Sequence, residues 1–214
     1  MNLSAYKQND KLLALKIVTI SYGGEYMMIG RLVRLSSWEI PDVDTYVKWI
    51  QNPEIARLTH MVGRPISRRE IDEEFSPYFR GQSTVQHWAI IDRKTNELIG
   101  KIHWEECLKG PDVYELGIVI GDSERWRIGY GAEACLLAGE LLFRELKAHK
   151  VMYLCAEYNT PMIELGIRGG FKEEGRIRDR FYVNGRYWDG IWLGLLKTEY
   201  DSFTEYLTAQ LGRT

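Results

Sequence analysis

Tyr114 to Ile120 (YELGIVI) is an apolar, strand-like run that passes through a glycine-containing turn into a long amphipathic helix. That order commits the chain to a sheet strand, a tight reversal at its end and a helix N-terminus aimed back over the strand. The turn reads Glu124-Arg125-Trp126-Arg127-Ile128-Gly129-Tyr130-Gly131-Ala132-Glu133-Ala134. Backbone N–H groups of a first helical turn have no intrahelical partner, and the helix dipole favours anions there. Gly129 and Gly131 let the backbone approach a ligand without an intervening Cβ. No Gly-Lys-Ser/Thr tripeptide occurs in the chain, which excludes a P-loop. Ala134 stands where a dinucleotide fingerprint needs its third glycine. The loop therefore points to a phosphate-bearing ligand other than a nucleoside triphosphate or a dinucleotide. The same residues also fit a close-packed strand-to-helix turn with solvated arginines, and the loop alone leaves both readings open.

A length of 214 residues with 45% apolar side chains is enough for one domain with its own core. A net charge of −2 with no basic tract gives no reason for nucleic acid. Cys107, Cys135 and Cys155 are odd in number and lie in apolar contexts, so they read as thiols of a reducing, cytoplasmic compartment. The four histidines lack metal-ligand spacing, and no metal is expected. Lys11 to Tyr22 is apolar but shorter than the ~20 residues that span a bilayer, so no membrane association is expected. Residues 1–26 read as an N-terminal extension, an extra strand or an arm, ahead of a domain over 27–214.

Strands are expected at Arg31–Leu35, His87–Asp92, Glu97–Trp104, Tyr114–Ile120, Val151–Tyr158, Arg176–Val183 and Tyr187–Leu195. Asp42 is expected to cap a helix that Asn52-Pro53 ends, and Ser67 with Glu70 to form a capping box. Further helices are expected from Ala132 to about Ala148, after Asn159-Thr160-Pro161, and from Leu196 to Leu211. Asn184-Gly185 is a hairpin signal. The pattern is a single α+β domain.

These pieces resemble the GNAT acetyltransferase superfamily, in the branch of the RimJ/RimL-type and spermidine acetyltransferases. Four segments carry the resemblance: Gly30–Leu35 with Trp49-Ile50-Gln51-Asn52-Pro53-Glu54; Glu115-Leu116-Gly117-Ile118 with Trp126–Ala134; Asn159 eleven residues before Gly170-Phe171; and Tyr182–Asp189. They cover residues 28 to 197 in order. The resemblance implies a mixed, mostly antiparallel twisted sheet of about seven strands, splayed at its centre and flanked by four to five helices. It implies acetyl-coenzyme A as co-substrate, with its pyrophosphate wrapped by Arg127, Ile128, Gly129, Tyr130, Gly131 and Ala132 and with Trp126 also among the cofactor-binding residues. Ile118, Val119 and Ile120 would border the pantetheine, and Asn159 would touch it.

The implied chemistry is direct attack of a neutral amine on the thioester, which needs a base for the ammonium proton and an acid for the thiolate. Relatives place a tyrosine seven residues after Asn159 and a serine three after it; here these are Gly166 and Met162. Tyr158 is the alternative acid, beside water. Glu115 is the first choice of base, against a plain reading as a carboxylate paired with arginine, and His103 and Glu105 follow. Phe181, Tyr182, Tyr187, Trp188 and Trp192 read as core and hairpin packing. Cys135 and Cys155 read as non-nucleophilic. The acceptor is expected to be a protein N-terminal α-amine or a small amine such as a polyamine or amino sugar. A coenzyme A-binding protein without catalysis is the rival reading, and a homodimer is one assembly left open.

Overall fold

The computed structural model describes residues 18–22, 25–59, 66–107 and 110–200, with side chains from residue 27 onward. Nine strands form one sheet: β1 (Val18–Tyr22), β2 (Glu25–Ile29), β3 (Val33–Ser37), β4 (Gln86–Asp92), β5 (Leu98–Glu106), β6 (Val113–Ile120), β7 (Lys150–Ala156), β8 (Lys172–Val183) and β9 (Arg186–Leu196). Their order is β1-β2-β3-β4-β5-β6-β7-β9-β8. The sheet exceeds the expected seven strands because β1 and β2 extend it from the N-terminal side. The terminal helix expected over 196–211 falls outside the described residues after Tyr200; Lys197–Glu199 forms one 3-10 turn.

Neighbouring strands are antiparallel except β6 and β7, which run parallel because a helical crossover on one face joins them. Their pairing is short. Val113, Tyr114 and Glu115 pair with Lys150, Val151 and Met152, and beyond these residues the strands part.

Each sheet face carries its own core. On one face α4 (Tyr130–Glu140) packs through Ala134, Leu136, Leu137 and Ala138 onto Ile102, Leu116, Val151 and Leu193. The partly buried Met162, Ile163 and Leu165 of α5 (Thr160–Arg168) join this core. On the other face α1 (Asp42–Ile50), α2 (Pro53–Leu58) and α3 (Arg68–Phe79) enclose Trp38, Tyr46, Ile55, Ile71 and Phe75 over Ala89 and Ile91.

Local sequence explains the helix ends. Asn52 caps α2 by accepting the Glu54 N–H at 2.9 Å, and Ser67 and Glu70 cap α3 reciprocally. Asp42 does not cap α1 as expected. It is the first helical residue, Pro41 holds the cap position, and its carboxylate turns back to accept the Glu39 N–H at 2.9 Å. The helix expected over 132–148 starts two residues early and widens after Glu140 into a π-turn over Leu141–Glu145. After the extra residue in that turn, Leu146 lies outside the core at 41% exposure.

Candidate active site

The parted strands and the loop that follows β6 make one continuous feature. Ile118 and Ile120 lean toward the α4 core and Val119 toward the opposite core. After Gly121, Asp122 accepts the Glu124 N–H at 3.0 Å and starts a 3-10 turn over Ser123–Arg125. Trp126 donates its indole N–H to the Ile120 carbonyl at 2.9 Å, which ties the loop to the end of β6. Arg127 (φ 63°) and Gly129 (φ 110°) are both left-handed and reverse the chain into α4. Arg127 and Ile128 are exposed, and no side chain caps α4. The first-turn N–H groups at Tyr130, Gly131 and Ala132 therefore have no side-chain cap, and a Cβ on Gly131 would meet Ile120 at 3.7 Å and Ile118 at 3.9 Å, which sets this helix start beside the end of β6.

Arg125 belongs to neither reading of the loop. It is neither solvated nor free for an anion, because it is gripped by Asp92 (2.5 Å), Glu97 (2.5 Å) and Asp122 (3.1 Å). The Tyr130 hydroxyl donates to the same Asp92 at 2.9 Å. Burial raises the Asp92 pKa, but the Lys94 N–H, Tyr130 hydroxyl, Thr95 N–H and Arg125 charge outweigh it and hold it below the usual carboxylate range. Both ends of the loop are thus fastened to the β4–β5 hairpin. A cleft of about 490 Å³ beneath the loop, floored by Trp49 and Leu98, is lined by this latch rather than by the helix N-terminus.

Glu133, in the first turns of α4, carries no role in the sequence reading and is wholly buried (0% exposed). Its carboxylate accepts three consecutive backbone N–H groups, from Arg31 (2.6 Å), Leu32 (2.5 Å) and Val33 (2.7 Å). Its position inside a recognisable motif was the only signal in the sequence. The partner is a backbone turn, which leaves no residue-type trace.

The face opposite α4 holds the expected proton-transfer groups. Glu115 stands in register with Glu105, Gly117 with His103 and Val119 with Lys101, so these side chains share one face. Glu115 has no ion-pair partner among the described residues. Burial, then the charge of Glu105, raises its pKa. His103 packs closely against Gly117; burial, with the charges of Lys101 and His87, holds it well below the usual imidazole range. Its Nδ1 is buried without a partner.

Tyr158 and Asn159 sit at the open end of the gap. The Tyr158 hydroxyl donates to the Arg57 carbonyl at 2.8 Å, and burial raises its pKa against the opposing charge of Arg57. Asn159 caps α5 by accepting the Met162 N–H at 3.4 Å and donates to the Leu58 carbonyl at 3.5 Å. The lost tyrosine at Gly166 has a steric cause. A Cβ there would run into the hydroxyl of Tyr153, which reaches up from β7 and donates to the Met162 carbonyl at 3.0 Å. Cys135 and Cys155 are buried thiols pushed up to about 12 by burial, far from nucleophilic. Tyr182 (62% exposed) and Tyr187 (61%) face each other across the hairpin with rings tilted by 55°, which is the hairpin packing expected rather than core, because both faces of β8 are largely solvated.

A parallel pair that parts beside an uncapped helix N-terminus is matched by comparison. Residues 32–172 match the family model described as the acetyltransferase (GNAT) domain. The chain belongs to this family. Among its relatives is the SPbeta prophage-derived uncharacterized N-acetyltransferase YokL of Bacillus subtilis, 27% identical over 112 residues, which are 52% of this chain and 63% of that protein. The chain thus spans just under two thirds of that relative. The putative ribosomal N-acetyltransferase YdaF of Bacillus subtilis is 37% identical over 68 residues, 32% of this chain and 37% of that one. The fold superposes on the spermidine N-acetyltransferase of Vibrio cholerae solved with coenzyme A and spermine, with TM-score 0.69 and 24% identity, covering 79% of this chain and 98% of that one. Family membership makes this an acyltransferase domain with acetyl-coenzyme A as co-substrate.

Proposed function

We propose that the chain is a cytoplasmic N-acetyltransferase of the RimJ/RimL-like branch. It moves the acetyl group of acetyl-coenzyme A to a primary amine by direct attack. The catalytic domain runs from residue 27 to 214, with residues 1–26 as an extension. The observation that carries the reading is the gap between β6 and β7 opening onto the uncapped start of α4.

Arg127 to Ala132 hold the pyrophosphate, chiefly through backbone N–H groups, with Trp126 also at the cofactor; Ile118, Val119 and Ile120 border the pantetheine, and Asn159 closes it. Glu115 takes the proton from the acceptor ammonium. Its raised pKa brings it nearer to neutrality, where a carboxylate base is more effective. The amine then attacks the thioester carbon, the C–S bond breaks, and the thiolate leaves, protonated by water or by Tyr158. The acceptor is a protein N-terminal α-amine or a small amine.

The test is thiol release from acetyl-coenzyme A over a panel of peptides and small amines, with mass spectrometry of the products. Glu115→Gln should lower kcat by about 100-fold or more and leave coenzyme A affinity nearly intact, as expected for loss of a base. Tight coenzyme A binding without thiol release for any amine would instead make the chain a binding protein, the role that Gly166 and Met162 favour.

A further inference from the structure

Three arginines at the open end of the gap each lie over an aromatic ring. Arg57, on α2, has its guanidinium carbon 5.3 Å from the centre of Tyr158. Arg186, beside the hairpin tip, lies 3.2 Å over Trp188. Arg180, on β8, lies 5.9 Å from the ring of Phe181. Tyr158 meets Trp188 edge-on at 5.3 Å, and Trp188 stands opposite Phe181 in the register of β9 and β8. A Cβ on Gly190 would touch Arg180 Cγ at 3.1 Å and Leu154 Cδ1 at 3.2 Å, so Arg180 runs along the face of β7 and β9 that carries Leu154. That is the face of α1–α3 and Glu115, opposite the α4 core.

None of the three guanidinium groups has a carboxylate partner among the described residues. Two acids close to them, Glu157 and Asp189, are engaged by another arginine. Arg176 holds Glu157 at 3.2 Å and Asp189 at 3.8 Å, and Asp189 also accepts the Asp179 N–H at 3.1 Å. A cation–π contact holds a guanidinium near a ring without using its N–H donors, which can then take a carboxylate in two parallel hydrogen bonds. Three fixed positive charges also repel a polycation approaching the same opening.

We propose that this rim selects an acceptor amine that carries a carboxylate and rejects polyamines. The carboxylate comes either from acidic residues just behind a protein's N-terminal α-amine or from a free amino acid. The inference rests on the N-acetyltransferase reading and narrows its acceptor.

The experiment measures thiol release from acetyl-coenzyme A with four acceptors: a peptide with Asp and Glu at its second to fourth positions, the same peptide with Lys there, free glutamate, and spermidine. The acidic peptide, glutamate or both should exceed the Lys peptide and spermidine by about tenfold or more in kcat/KM, and the advantage should shrink as salt rises. Activity on the peptide but not on glutamate assigns the carboxylate to a protein; the reverse assigns it to a free amino acid. Arg57→Gln and Arg186→Gln should each raise KM for the preferred acidic acceptor several-fold with far less effect on the Lys peptide. Coenzyme A titration of each variant confirms that it is folded. Equal use of the acidic and basic peptides, or a preference for spermidine, overturns the inference while leaving the acetyltransferase reading in place. Absence of thiol release with every amine removes that reading, and the inference with it.

Discussion

Glu133 replaces the water that three adjacent N–H groups at residues 31–33 would otherwise need. Glu133→Ala removes the acceptor from all three donors and leaves the buried Val33 N–H unpaired, and should destabilise the fold by about 3 kcal/mol, seen as a lower urea midpoint. Gly166 and Tyr153 form a second residue-scale pair, since the hydroxyl fills the place of a side chain at 166. Gly166→Ala should cost about 1–3 kcal/mol by overpacking, and the cost should fall in a Tyr153→Phe background; additive effects in that double-mutant cycle would remove the steric account. The sequence showed that position 166 departs from the family pattern. It did not show why, because the cause lies thirteen residues earlier on another element, and such contacts carry no local signature.

At the scale of elements, the loop between β6 and α4 is set by two anchors that do not touch the first-turn N–H groups of α4. Trp126 ties it to Ile120, and Arg125 with Tyr130 ties it to Asp92. Arg125→Met should therefore weaken coenzyme A binding about tenfold by calorimetry while changing kcat less, because it loosens the loop and leaves the chemistry alone. The strand, turn and helix were legible in residue order, because periodicity and glycine placement report local conformation. The role of Arg125 was not, since its partners Asp92 and Glu97 sit on a distant hairpin and a solvated arginine reads identically in sequence. The π-turn at Leu141–Glu145 was invisible for a related reason: tertiary packing, not local propensity, decides where a helix absorbs an extra residue.

For the whole molecule, the least expected feature is the charge inside the second core. Lys101 is 3% exposed, lies over the rings of Tyr46 (4.8 Å) and Phe75 (4.7 Å), and approaches His87 Nδ1 at 3.4 Å. Burial pushes its ammonium down to about 8, against a smaller upward pull from Glu74, and burial with the Lys101 charge pushes His87 down to about 3. Both groups bind more protons unfolded than folded, so stability rises with pH through their windows. For Lys101 the window runs from about 8 to its usual 10.5, and wild type should gain on the order of 3 kcal/mol relative to Lys101→Met across it. For His87 stability is present above its usual 6.5 and is lost as pH falls toward 3. Urea unfolding at a series of pH values measures both. Family-level architecture was readable because several short motifs occur in order, and an extra strand was one reading of the segment that holds β1, whereas β2 and this buried lysine depend on which faces meet. The separation of β6 from β7 has a mechanical consequence. Beyond Glu115 and Met152 the sheet is two plates, β1–β6 and β7–β9–β8, joined at a seam only three residue pairs long. Amide protons along that seam should exchange as those of two independently breathing bodies, and a molecule lying between the edges would make them exchange as one.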